Sequence, residues 1–520
     1  MKDAYCAYYT ESDDITAYMA TRLGIDENDV ILEPAAGEGI FIDEILKRDK
    51  HVSIDALDIN EKAISVLQNK FERNPNVSVR RTDTLFDKEL DTYTVNALWL
   101  KNTDTLLDEQ LDMFGLAGGH YDKVIGNPPY GAWQDHDKRV LLKKKYIGQY
   151  VKETYTLFLL RSISVLKMGG RLSFIIPDTF LFLNMHEKLR KILLTSTKIE
   201  EVLIFPSKFF PGVSFGYSNL SIITLQKCNR EDALENTIRI IKGFKSSTEF
   251  ADVIEEKFPD NLTIFELTQR DVFTAEKSRF ILAEDDVALK IGTTEKKLGD
   301  VADIVTGFYS GNNKKFVCAK NNDVKGSKNY PIVDKNKIVE TTSLSGVPHI
   351  EEGYVPYIKS SSPYRYKRCG DEWYIRWDES TVKFYNDDKK ARFQNSQFYF
   401  KTGIAIPMVK SSKIRATLME NRVFDQSIVG IFPKNEDDLY YVLALMNSDV
   451  INKLIHIINP TANNSSNYVK QLPYLAPSRD DRRFVDKTVK KIMSLDPVND
   501  KNKIDALHQS VNKCIEKIYS

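Results

Sequence analysis

The chain has 520 residues, which is too long for one ordinary hydrophobic core and favours two or three domains. Its 73 basic and 73 acidic side chains give a formal net charge of zero, so the total charge does not indicate a polyanionic partner, although local clusters still can. Five cysteines stand far apart with no C-x-x-C pair, which argues against structural zinc and predicts no metal site.

Two further features concern the cellular compartment. The first residues, MKDAYCAYYTESDD, lack the apolar segment of a secretory signal, and no stretch reaches 18 apolar residues. Widely spaced cysteines suit a reducing environment. We therefore expect a cytoplasmic protein without a membrane partner.

In chain order, short apolar runs alternate with amphipathic stretches up to about residue 228. A helix is predicted over residues 11–24, and residues 90–120 look like a polar insertion. The remaining predicted elements are the strand DVILEP, the helix GIFIDEILKR, the strand VSIDALDI, the helix EKAISVLQNKF, the strands VSVRRTD and YDKVIGN, the helix TLFLLRSISVLKMGG and the strand RLSFIIP. This alternation predicts an α/β domain with a doubly wound, mostly parallel sheet.

The alternation of predicted strands and helices ends after residue 228, where the segments become irregular, aromatic and dense in lysine and asparagine. Two polar helices, DDRRFVDKTVKKIMSL and KIDALHQSVNKCIEKI, are predicted near the end. The sequence thus predicts three parts: an α/β domain over 1–235, an α+β domain over 236–476 and a helical segment over 477–520.

The segment ILEPAAGEGIF has the features of a ligand-binding loop. A strand ends at Glu33, and a loop with Gly37 and Gly39 leads into a helix, so the backbone can approach a ligand closely. A carboxylate there disfavours a phosphate and suits a cationic or amine-bearing ligand. The next strand ends at Asp58, where dinucleotide-binding folds place the acceptor for ribose hydroxyls. The third ends at Asp83, a candidate acceptor for an adenine amino group, and the three carboxylates together predict a nucleoside ligand.

A second motif, Asn-Pro-Pro-Tyr at residues 127–130, directly follows an apolar run. Its two prolines remove two backbone donors and fix two φ angles, so the loop cannot continue a sheet ladder. One interpretation is a stiff turn between a strand and a loop. The other is a rigid support for the Asn127 amide and the Tyr130 ring.

The segments YYT, EPAAGEG, LDIN, TDTLF and NPPYG, in this order, resemble the amino-methyltransferases that act on adenine in DNA, in particular the gamma group typified by the TaqI methyltransferase. The resemblance covers roughly residues 8–228. KLGDVADIVTGFYSGNNKKFV and YYVLALMNSDVINKLIHIINPTANNSSNYVKQLPY resemble, more loosely, target-recognition domains and type I specificity subunits.

This resemblance implies a class I S-adenosylmethionine-dependent methyltransferase fold with a C-terminal target-recognition domain. The implied activity is methylation of N6 of a flipped-out adenine in double-stranded DNA, as the modification enzyme of a restriction-modification system. The implied cofactor is S-adenosylmethionine. The implied partners are DNA and a separate cognate restriction endonuclease.

The resemblance also assigns roles to the cofactor loop. Glu33 would bind the ribose hydroxyls or the methionine moiety, Asp58 the ribose, and Asp83 the N6 amino group of the cofactor's adenine. Family members often carry an aromatic residue directly after the third-strand aspartate, but this chain has a threonine, so either Leu85 or Phe86 covers that adenine. The full implied cofactor set is Tyr8, Tyr9, Thr10, Glu33, Pro34, Ala35, Gly37, Gly39, Asp58, Ile59, Asp83, Thr84, Leu85 and Asn127.

For catalysis the resemblance implies that the Asn127 side-chain oxygen and the Pro128 carbonyl accept hydrogen bonds from the adenine N6 amino group. Pro128 and Pro129 would hold these acceptors in place, and Tyr130 would stack on the flipped base. Phe210 would cover the other face of the base, with Phe205 and Phe209 as alternatives; Phe210 could equally be a core aromatic residue.

A basic cluster stands in the second predicted domain. Residues 359–415 contain 13 basic and six acidic side chains, an excess of seven positive charges, interleaved with aromatic residues. Such a cluster suits phosphate contacts, although a solvated mixed-charge surface has the same composition. Lys359, Arg365, Lys367 and Arg368 are the predicted DNA-binding residues.

Three other functions share parts of these patterns. Release-factor glutamine methyltransferases also use Asn-Pro-Pro-Tyr, but they are much shorter; RNA amino-methyltransferases are a second alternative. A DNA-binding specificity protein without activity would not need an intact cofactor loop. No acidic-plus-lysine nuclease pattern is evident, so DNA cleavage by this chain is not expected.

Overall fold

A computed structural model describes residues 10, 12–94, 119–131, 136–210, 219–282, 294–409, 413–459 and 464–520. The chain divides into an N-terminal unit, Met1–Leu282, and a C-terminal unit, Ala283–Ser520, each treated by itself. Within the described ranges no single helix is both long and apolar enough to cross a membrane, although the bent pair Glu436–Asn447 and Asp449–Ile458 passes jointly by length and composition.

A nine-stranded mixed sheet forms the centre of the N-terminal unit, with the strand order β3-β2-β1-β4-β5-β7-β6-β8-β9. Its strands are β1 (Val30–Glu33), β2 (Ser53–Asp58), β3 (Val77–Arg81), β4 (Tyr121–Gly126), β5 (Leu166–Pro177), β6 (Thr197–Pro206), β7 (Asn219–Lys227), β8 (Thr237–Lys242) and β9 (Thr263–Thr268). Strands β1 to β5 pair in parallel, whereas β7 runs antiparallel to both β5 and β6. The predicted α/β class with a mostly parallel sheet is therefore confirmed for this unit.

Helices connect these strands and pack against them. They are α1 (Asp13–Leu23), α2 (Ile40–Arg48), α3 (Glu61–Phe71), α4 (Lys88–Tyr93), α5 (His136–Lys145), α6 (Thr154–Val165), α7 (Glu187–Ser196), α8 (Arg230–Leu234), α9 (Glu249–Ile254) and α10 (Gln269–Thr274). Gly24 ends α1 in the left-handed region at φ 63°, as its position after the last apolar residue predicts. Asn60 caps α3 by accepting a hydrogen bond from the Lys62 N–H at 3.0 Å.

The first domain boundary differs from the predicted one at 235/236. Strands β8 and β9 lie beyond that position, and β8 pairs with β6 in parallel while β9 pairs with β8. Because these backbone hydrogen bonds extend the same sheet, the N-terminal unit continues to residue 282. The predicted helix TLFLLRSISVLKMGG also needs correction, since α6 ends at Val165 and the remaining five residues begin β5.

The C-terminal unit contains two four-stranded sheets, with orders β10-β17-β14-β15 and β11-β13-β12-β16. The strands are β10 (Ala302–Thr306), β11 (Val317–Ala319), β12 (Tyr354–Ile358), β13 (Trp373–Arg376), β14 (Gly403–Pro407), β15 (Thr417–Met419), β16 (Val423–Phe424) and β17 (Ile428–Pro433). An aromatic core, which includes Phe308, Trp377, Tyr385 and Tyr399, packs with both sheets. With its helices, this architecture is of the predicted α+β type.

The helices of the C-terminal unit are α11 (Leu298–Val301), α12 (Asn313–Phe316), α13 (Glu379–Asp387), α14 (Leu439–Asn447), α15 (Asp449–Ile458), α16 (Ser466–Val469), α17 (Arg479–Ser494) and α18 (Lys501–Tyr519). The last two are the helices predicted near the end of the sequence. They do not form a separate third part, because the Tyr519 hydroxyl donates to the Pro473 carbonyl and the Asn512 side chain contacts Asp449. The predicted boundary at 476/477 thus lies inside the C-terminal unit.

Candidate active site

The carboxyl ends of β1, β2, β4 and β5 meet at one edge of the N-terminal sheet, because these neighbouring strands are parallel. Glu33 ends β1, Asp58 ends β2, and Gly126 ends β4 directly before Asn127. A Cβ atom on Gly126 would lie 3.6 Å from Pro34 Cδ and 3.9 Å from Glu33 Cγ. The glycine loop after β1 and the Asn-Pro-Pro-Tyr segment after β4 therefore lie side by side, although they are far apart in the sequence.

The glycine loop after β1 is held in shape by Asp58. The Gly37 N–H donates to Asp58 Oδ2 at 2.9 Å, and the Asn60 N–H donates to Oδ1 of the same carboxylate at 2.7 Å. Gly37 and Gly39 have φ values of 53° and 79°, a region that side chains with a Cβ rarely adopt. A Cβ on Gly39 would also lie 2.7 Å from Leu67 Cδ2, so this glycine permits close packing of α2 on α3.

Glu33 is a buried ionisable group at the start of this loop. Its side chain is 1% exposed, and its Oε2 atom has no hydrogen-bond partner among the described residues. Burial, and secondarily the negative charge of Asp58, raise the pKa of Glu33 well above its usual range. A buried acceptor of this kind fits a ligand that brings hydroxyl or ammonium donors.

Asp83, after β3, already has partners within the protein. Its Oδ1 accepts from the Leu85 N–H at 3.1 Å, and its Oδ2 pairs with Lys138 Nζ of α5 at 2.8 Å. The following residue, Thr84, is buried and donates its hydroxyl to the Pro34 carbonyl at 2.5 Å. Thr84 therefore connects the loop after β3 to the loop after β1 through a hydrogen bond. The position of Thr84 in the sequence does not indicate this role.

The apolar residues predicted near the cofactor differ in exposure. Ile59 is 38% exposed and accessible, as a contact with a ligand requires. Leu85 is buried in the hydrophobic core, whereas Phe86 is half-buried and lies beneath Lys145, whose Nζ is 5.6 Å from the ring centroid. Phe86 is thus the more accessible of the two candidates after Asp83, and the only one of the two with a ring.

The Asn-Pro-Pro-Tyr loop is fixed from both sides. The Asn127 Nδ2 donates to Thr10 Oγ1 at 3.2 Å, an orientation that directs the amide oxygen away from Thr10. The Thr154 hydroxyl, at the start of α6, donates to the Pro129 carbonyl at 2.6 Å. Tyr130 is buried at 1% exposure within the same unit. Tyr8 and Tyr9, the other predicted residues near Thr10, lie outside the described residues.

A buried polar cluster lies next to this loop in the fold. The residue before Thr154, Glu153, accepts a hydrogen bond from His186 Nε2 at 2.8 Å, and the Tyr155 hydroxyl contacts Thr179 Oγ1 at 2.9 Å. Asp178 follows β5 and accepts from Asn219 Nδ2 at 3.2 Å, and burial raises the pKa of Asp178 to about 7. The sequence does not predict this cluster, because the hydrogen-bond partners lie in segments that are far apart along the chain.

The aromatic candidates form a packed group. Phe205 and Phe210 are both buried, with ring centroids 6.0 Å apart, and Phe210 is 3% exposed. Phe209 is only partly buried and stacks on Phe205 at 5.9 Å. Phe210 therefore occupies a core position in this structure, while Phe209 is the more accessible ring.

The four predicted DNA-binding residues contact their own unit. Lys359 Nζ lies 4.7 Å from the Tyr330 ring centroid and 4.6 Å from that of Trp373. Lys367 donates to the Met493 carbonyl at 3.1 Å, and Arg368 donates to the Ser360 carbonyl at 3.0 Å. Arg365 lies 4.0 Å from the carboxylate of Asp505. Each of these cations has a structural contact in addition to its charge.

No group of three or more His, Cys, Asp or Glu side chains is arranged to hold a metal ion in the part of the chain that the structure describes.

The chain is similar in sequence to several known methyltransferases. The family described as Eco57I restriction-modification methylase matches residues 44–210. The type II methyltransferase M.HindII of Haemophilus influenzae is 24% identical over 480 residues, which cover 84% of this chain and 82% of that protein. The adenine-specific methyltransferase BrxX of Escherichia coli is 22% identical over 371 residues, covering 68% of this chain and 28% of that protein.

A solved structure shows the same fold over most of the chain. The nuclease-deletion mutant of the type ISP restriction-modification enzyme LlaGI, in complex with a DNA substrate mimic, aligns with a TM-score of 0.53 at 12% identity. The alignment covers 93% of this chain and 54% of that one, so this chain spans about half the length of that enzyme. The match to the methylase family over residues 44–210 and the similarity to M.HindII relate the chain to restriction-modification methyltransferases.

Proposed function

We propose that this chain is a site-specific DNA methyltransferase that transfers the methyl group of S-adenosylmethionine to N6 of a flipped-out adenine in double-stranded DNA. In this proposal it is the modification enzyme of a restriction-modification system. The observation that carries the proposal is the meeting of two loops at one sheet edge: the glycine loop with Glu33 and Asp58, and the rigid loop that begins at Asn127.

The glycine loop fits the proposed cofactor. The buried Glu33 Oε2 has no partner among the described residues, and a ribose hydroxyl or the ammonium of the methionine moiety would supply one. Asp58 organises the loop through Gly37 and Asn60, and exposed Ile59 offers an apolar surface for the cofactor's adenine. The cofactor supplies an electrophilic methyl group when it is bound.

The rigid loop fits the chemistry of an aromatic amine. The N6 nitrogen of adenine is a weak nucleophile because its lone pair is delocalised into the ring. Two fixed acceptors, the Asn127 amide oxygen and the Pro128 carbonyl, would accept hydrogen bonds from the amino hydrogens. These bonds would favour a tetrahedral nitrogen, whose lone pair can attack the methyl group of the cofactor. Thr10 and Thr154 hold this loop through Asn127 and Pro129, so the acceptors need little reorganisation during the reaction.

The target adenine would have to leave the duplex, which costs a few kcal/mol. Tyr130 is the proposed stacking partner, and such stacking contributes roughly 1–3 kcal/mol per base. The ring is 1% exposed in this structure, so the proposal requires the base to displace neighbouring atoms from one face of Tyr130. Phe210 would need the same displacement, whereas partly exposed Phe209 would not.

The experiment is long-read sequencing of genomic DNA from cells that express either the wild-type chain or Asn127→Ala, with mass spectrometry of the hydrolysed nucleosides. We expect N6-methyladenine at one sequence motif with the wild type and none with the variant. Methylation at cytosine, or methyl transfer only to RNA or to a protein glutamine, would contradict the proposal.

A further inference from the structure

A cleft of about 530 Å³ opens on the C-terminal unit. It is lined by residues of β10, the segment 392–395, the two residues after β14, the turn between β16 and β17, and the first residue of α16 together with the residue that follows this helix. The side chains that matter below are Arg392, Gln394, Asn395, Val409, Gln426 and Lys470.

Two of the three amide side chains of this cleft are held by hydrogen bonds to the backbone. Gln394 Nε2 donates to the Gly307 carbonyl, and Asn395 Nδ2 donates to the Thr306 carbonyl, both at 2.9 Å. These bonds orient the amide nitrogens inward, towards the backbone. The amide oxygens are then the atoms that can accept hydrogen bonds from a bound molecule.

The position of Arg392 is fixed by its backbone. Its N–H donates to the Tyr309 carbonyl at 2.8 Å, and its own carbonyl accepts from the Tyr309 N–H at 3.3 Å. The residue is exposed, and its guanidinium has no hydrogen-bond or ion-pair partner within the described ranges. Lys470, also exposed, has an ammonium group without such a partner among the same residues.

Among its described lining residues the cleft has one carboxylate, and neighbouring neutral groups donate hydrogen bonds to it. Asp425 is buried and accepts hydrogen bonds from the Tyr357 hydroxyl at 2.6 Å and from the Ser427 N–H at 2.8 Å. Arg392 and Lys470 outnumber this carboxylate, so the charged side chains of the lining carry a net positive charge, which favours a polyanion. Arg392 and Lys470 differ in this respect from the predicted DNA-binding residues Lys367 and Arg368, whose side chains donate hydrogen bonds to backbone carbonyls of their own unit.

The donors and acceptors of the cleft correspond to the edges of DNA bases. An arginine can bind the O6 and N7 atoms of guanine in a bidentate manner, and amide oxygens accept from the amino groups of adenine or cytosine. Val409 is 63% exposed and can contact a thymine methyl group. A lysine contributes a phosphate contact without sequence preference.

We infer that this cleft reads the target sequence in double-stranded DNA, with Arg392 recognising guanine, the amides of Gln394, Asn395 and Gln426 contacting neighbouring bases, and Lys470 binding phosphate. The inference rests on the proposed function, since it names the residues that choose the site of methylation. It assigns sequence selection to a surface within the C-terminal unit and leaves methyl transfer to the N-terminal unit.

The test compares the full-length wild type with Arg392→Ala, Arg392→Lys and Lys470→Ala. Lys325→Ala, at an exposed lysine outside the cleft, is the matched control. For each variant the methylated motif is read by long-read sequencing, and DNA affinity is measured as a function of salt. S-adenosylmethionine affinity and melting temperature report whether the variants remain folded.

We expect Arg392→Ala to bind the wild-type recognition sequence about 5- to 100-fold more weakly and to accept other bases at one guanine position. Arg392→Lys should recover part of the affinity but not the discrimination, because lysine lacks the bidentate geometry. Lys470→Ala should weaken binding to all sequences equally and reduce the salt slope by about one. The control should behave as the wild type.

An unchanged recognition sequence and affinity in Arg392→Ala would overturn the inference. Uniformly weaker binding with an unchanged recognition sequence would also overturn base reading by Arg392, and would assign it a phosphate contact. Both outcomes require a wild type that methylates adenine in DNA. If the wild type methylates no DNA, the proposed function itself fails, so the two failures are distinguishable.

Discussion

Glu33 combines deep burial with an acceptor atom that lacks a partner among the described residues. An ordinary structural carboxylate at the surface is hydrated, and a buried one is hydrogen-bonded or paired. The raised pKa means that Glu33 holds its proton over a wider pH range than an exposed glutamate does. Ligand hydroxyl or ammonium donors favour the carboxylate form instead.

We therefore predict that the affinity for S-adenosylmethionine increases as the pH rises through the pKa of Glu33 in the free protein. Glu33→Gln should weaken binding at least tenfold, about 1.4 kcal/mol, and remove this pH dependence. Isothermal titration calorimetry between pH 5 and 9 measures both effects. Glu38→Gln, at an exposed position of the same loop, is the control. Wild-type affinity in Glu33→Gln would remove Glu33 from the cofactor site.

Asp178 is the second residue whose burial has a measurable consequence. Its folded-state pKa of about 7 lies above the usual value of 3.8, so the folded protein binds a proton more tightly than the unfolded chain. The stabilising contribution of the protonated group is complete below the unfolded pKa. It is lost as the pH rises through the folded pKa.

Asp178→Asn should therefore increase the free energy of unfolding at pH 8 by up to about 4 kcal/mol, and change it little near pH 4. Asparagine keeps an oxygen that can accept from Asn219, so the existing contact is retained. Urea unfolding of the N-terminal unit at several pH values measures the effect. Equal pH dependence in the wild type and the variant would show that Asp178 is not buried in solution as it is here.

At the scale of elements, the amino-terminal turn of α6 supports the rigid loop. Thr154 donates to the Pro129 carbonyl, so the position of the loop depends on the position of this helix. Thr156, on the same turn, donates instead to the Glu153 and Tyr150 carbonyls. The two threonines differ mainly in whether they contact the loop.

Thr154→Val should reduce the rate of methyl transfer about 5- to 30-fold, which corresponds to about 1–2 kcal/mol for a lost hydrogen bond at this point. Thr154→Ser should restore most of the rate, and Thr156→Val should have little effect. Single-turnover methylation measures the rates, and cofactor binding should remain unchanged throughout. If Thr154→Val transfers methyl as fast as Thr156→Val, the helix does not position the loop.

The elements also show which structural features could be predicted from the sequence. Strands β1 to β4 were predicted because each is a short apolar run followed by a polar or glycine-rich loop, and both signals are local. The sequence does not predict the beginning of β5 at Leu166, since the apolar spacing of TLFLLRSISV continues into LKM and the pairing of Leu166 with Tyr121 of β4 is not visible in the sequence. Strands β8 and β9 were assigned to the wrong domain because sheet membership depends on hydrogen bonds to β6, which the sequence does not display.

In the candidate site, too, residues marked by a local sequence signal can be predicted, whereas their contacts with distant segments cannot. Glu33, Asp58, Asp83 and Asn127 could be chosen as candidates because they stand at strand ends beside glycine or proline. The partners Lys138, Thr154 and Asn219 could not, since each contacts the site from 25 to 55 residues away in the sequence. Whether the chosen residues bind cofactor and substrate stays a prediction.

At the scale of the whole molecule, the basic residues of the C-terminal unit fall into two groups. Lys367 and Arg368 donate hydrogen bonds to backbone carbonyls of their own unit, whereas Arg392 and Lys470 face a cleft without such partners within the described ranges. Local charge in the sequence therefore does not separate structural cations from those available to DNA.

Replacing both Lys367 and Arg368 by alanine should lower the free energy of unfolding by about 1–3 kcal/mol, because two carbonyls lose charged donors. The salt dependence of DNA binding should change less than in Lys470→Ala. Thermal unfolding and binding titrations between 50 and 200 mM salt, roughly the range over which phosphate contacts are felt, measure both. A normal stability with a reduced salt slope would assign these residues to the DNA contact, as the sequence alone predicted.

In the proposed mechanism Asn127 acts on the adenine amine as it becomes tetrahedral, while other residues bind the cofactor and the DNA. The decisive measurement is single-turnover methyl transfer by Asn127→Ala, with cofactor and DNA at concentrations that saturate the variant. We predict a rate at least about 10²-fold below that of the wild type, with nearly unchanged affinities for S-adenosylmethionine and DNA. A near-normal rate would exclude this role of Asn127, and the Asn-Pro-Pro-Tyr segment would then be no more than a rigid turn.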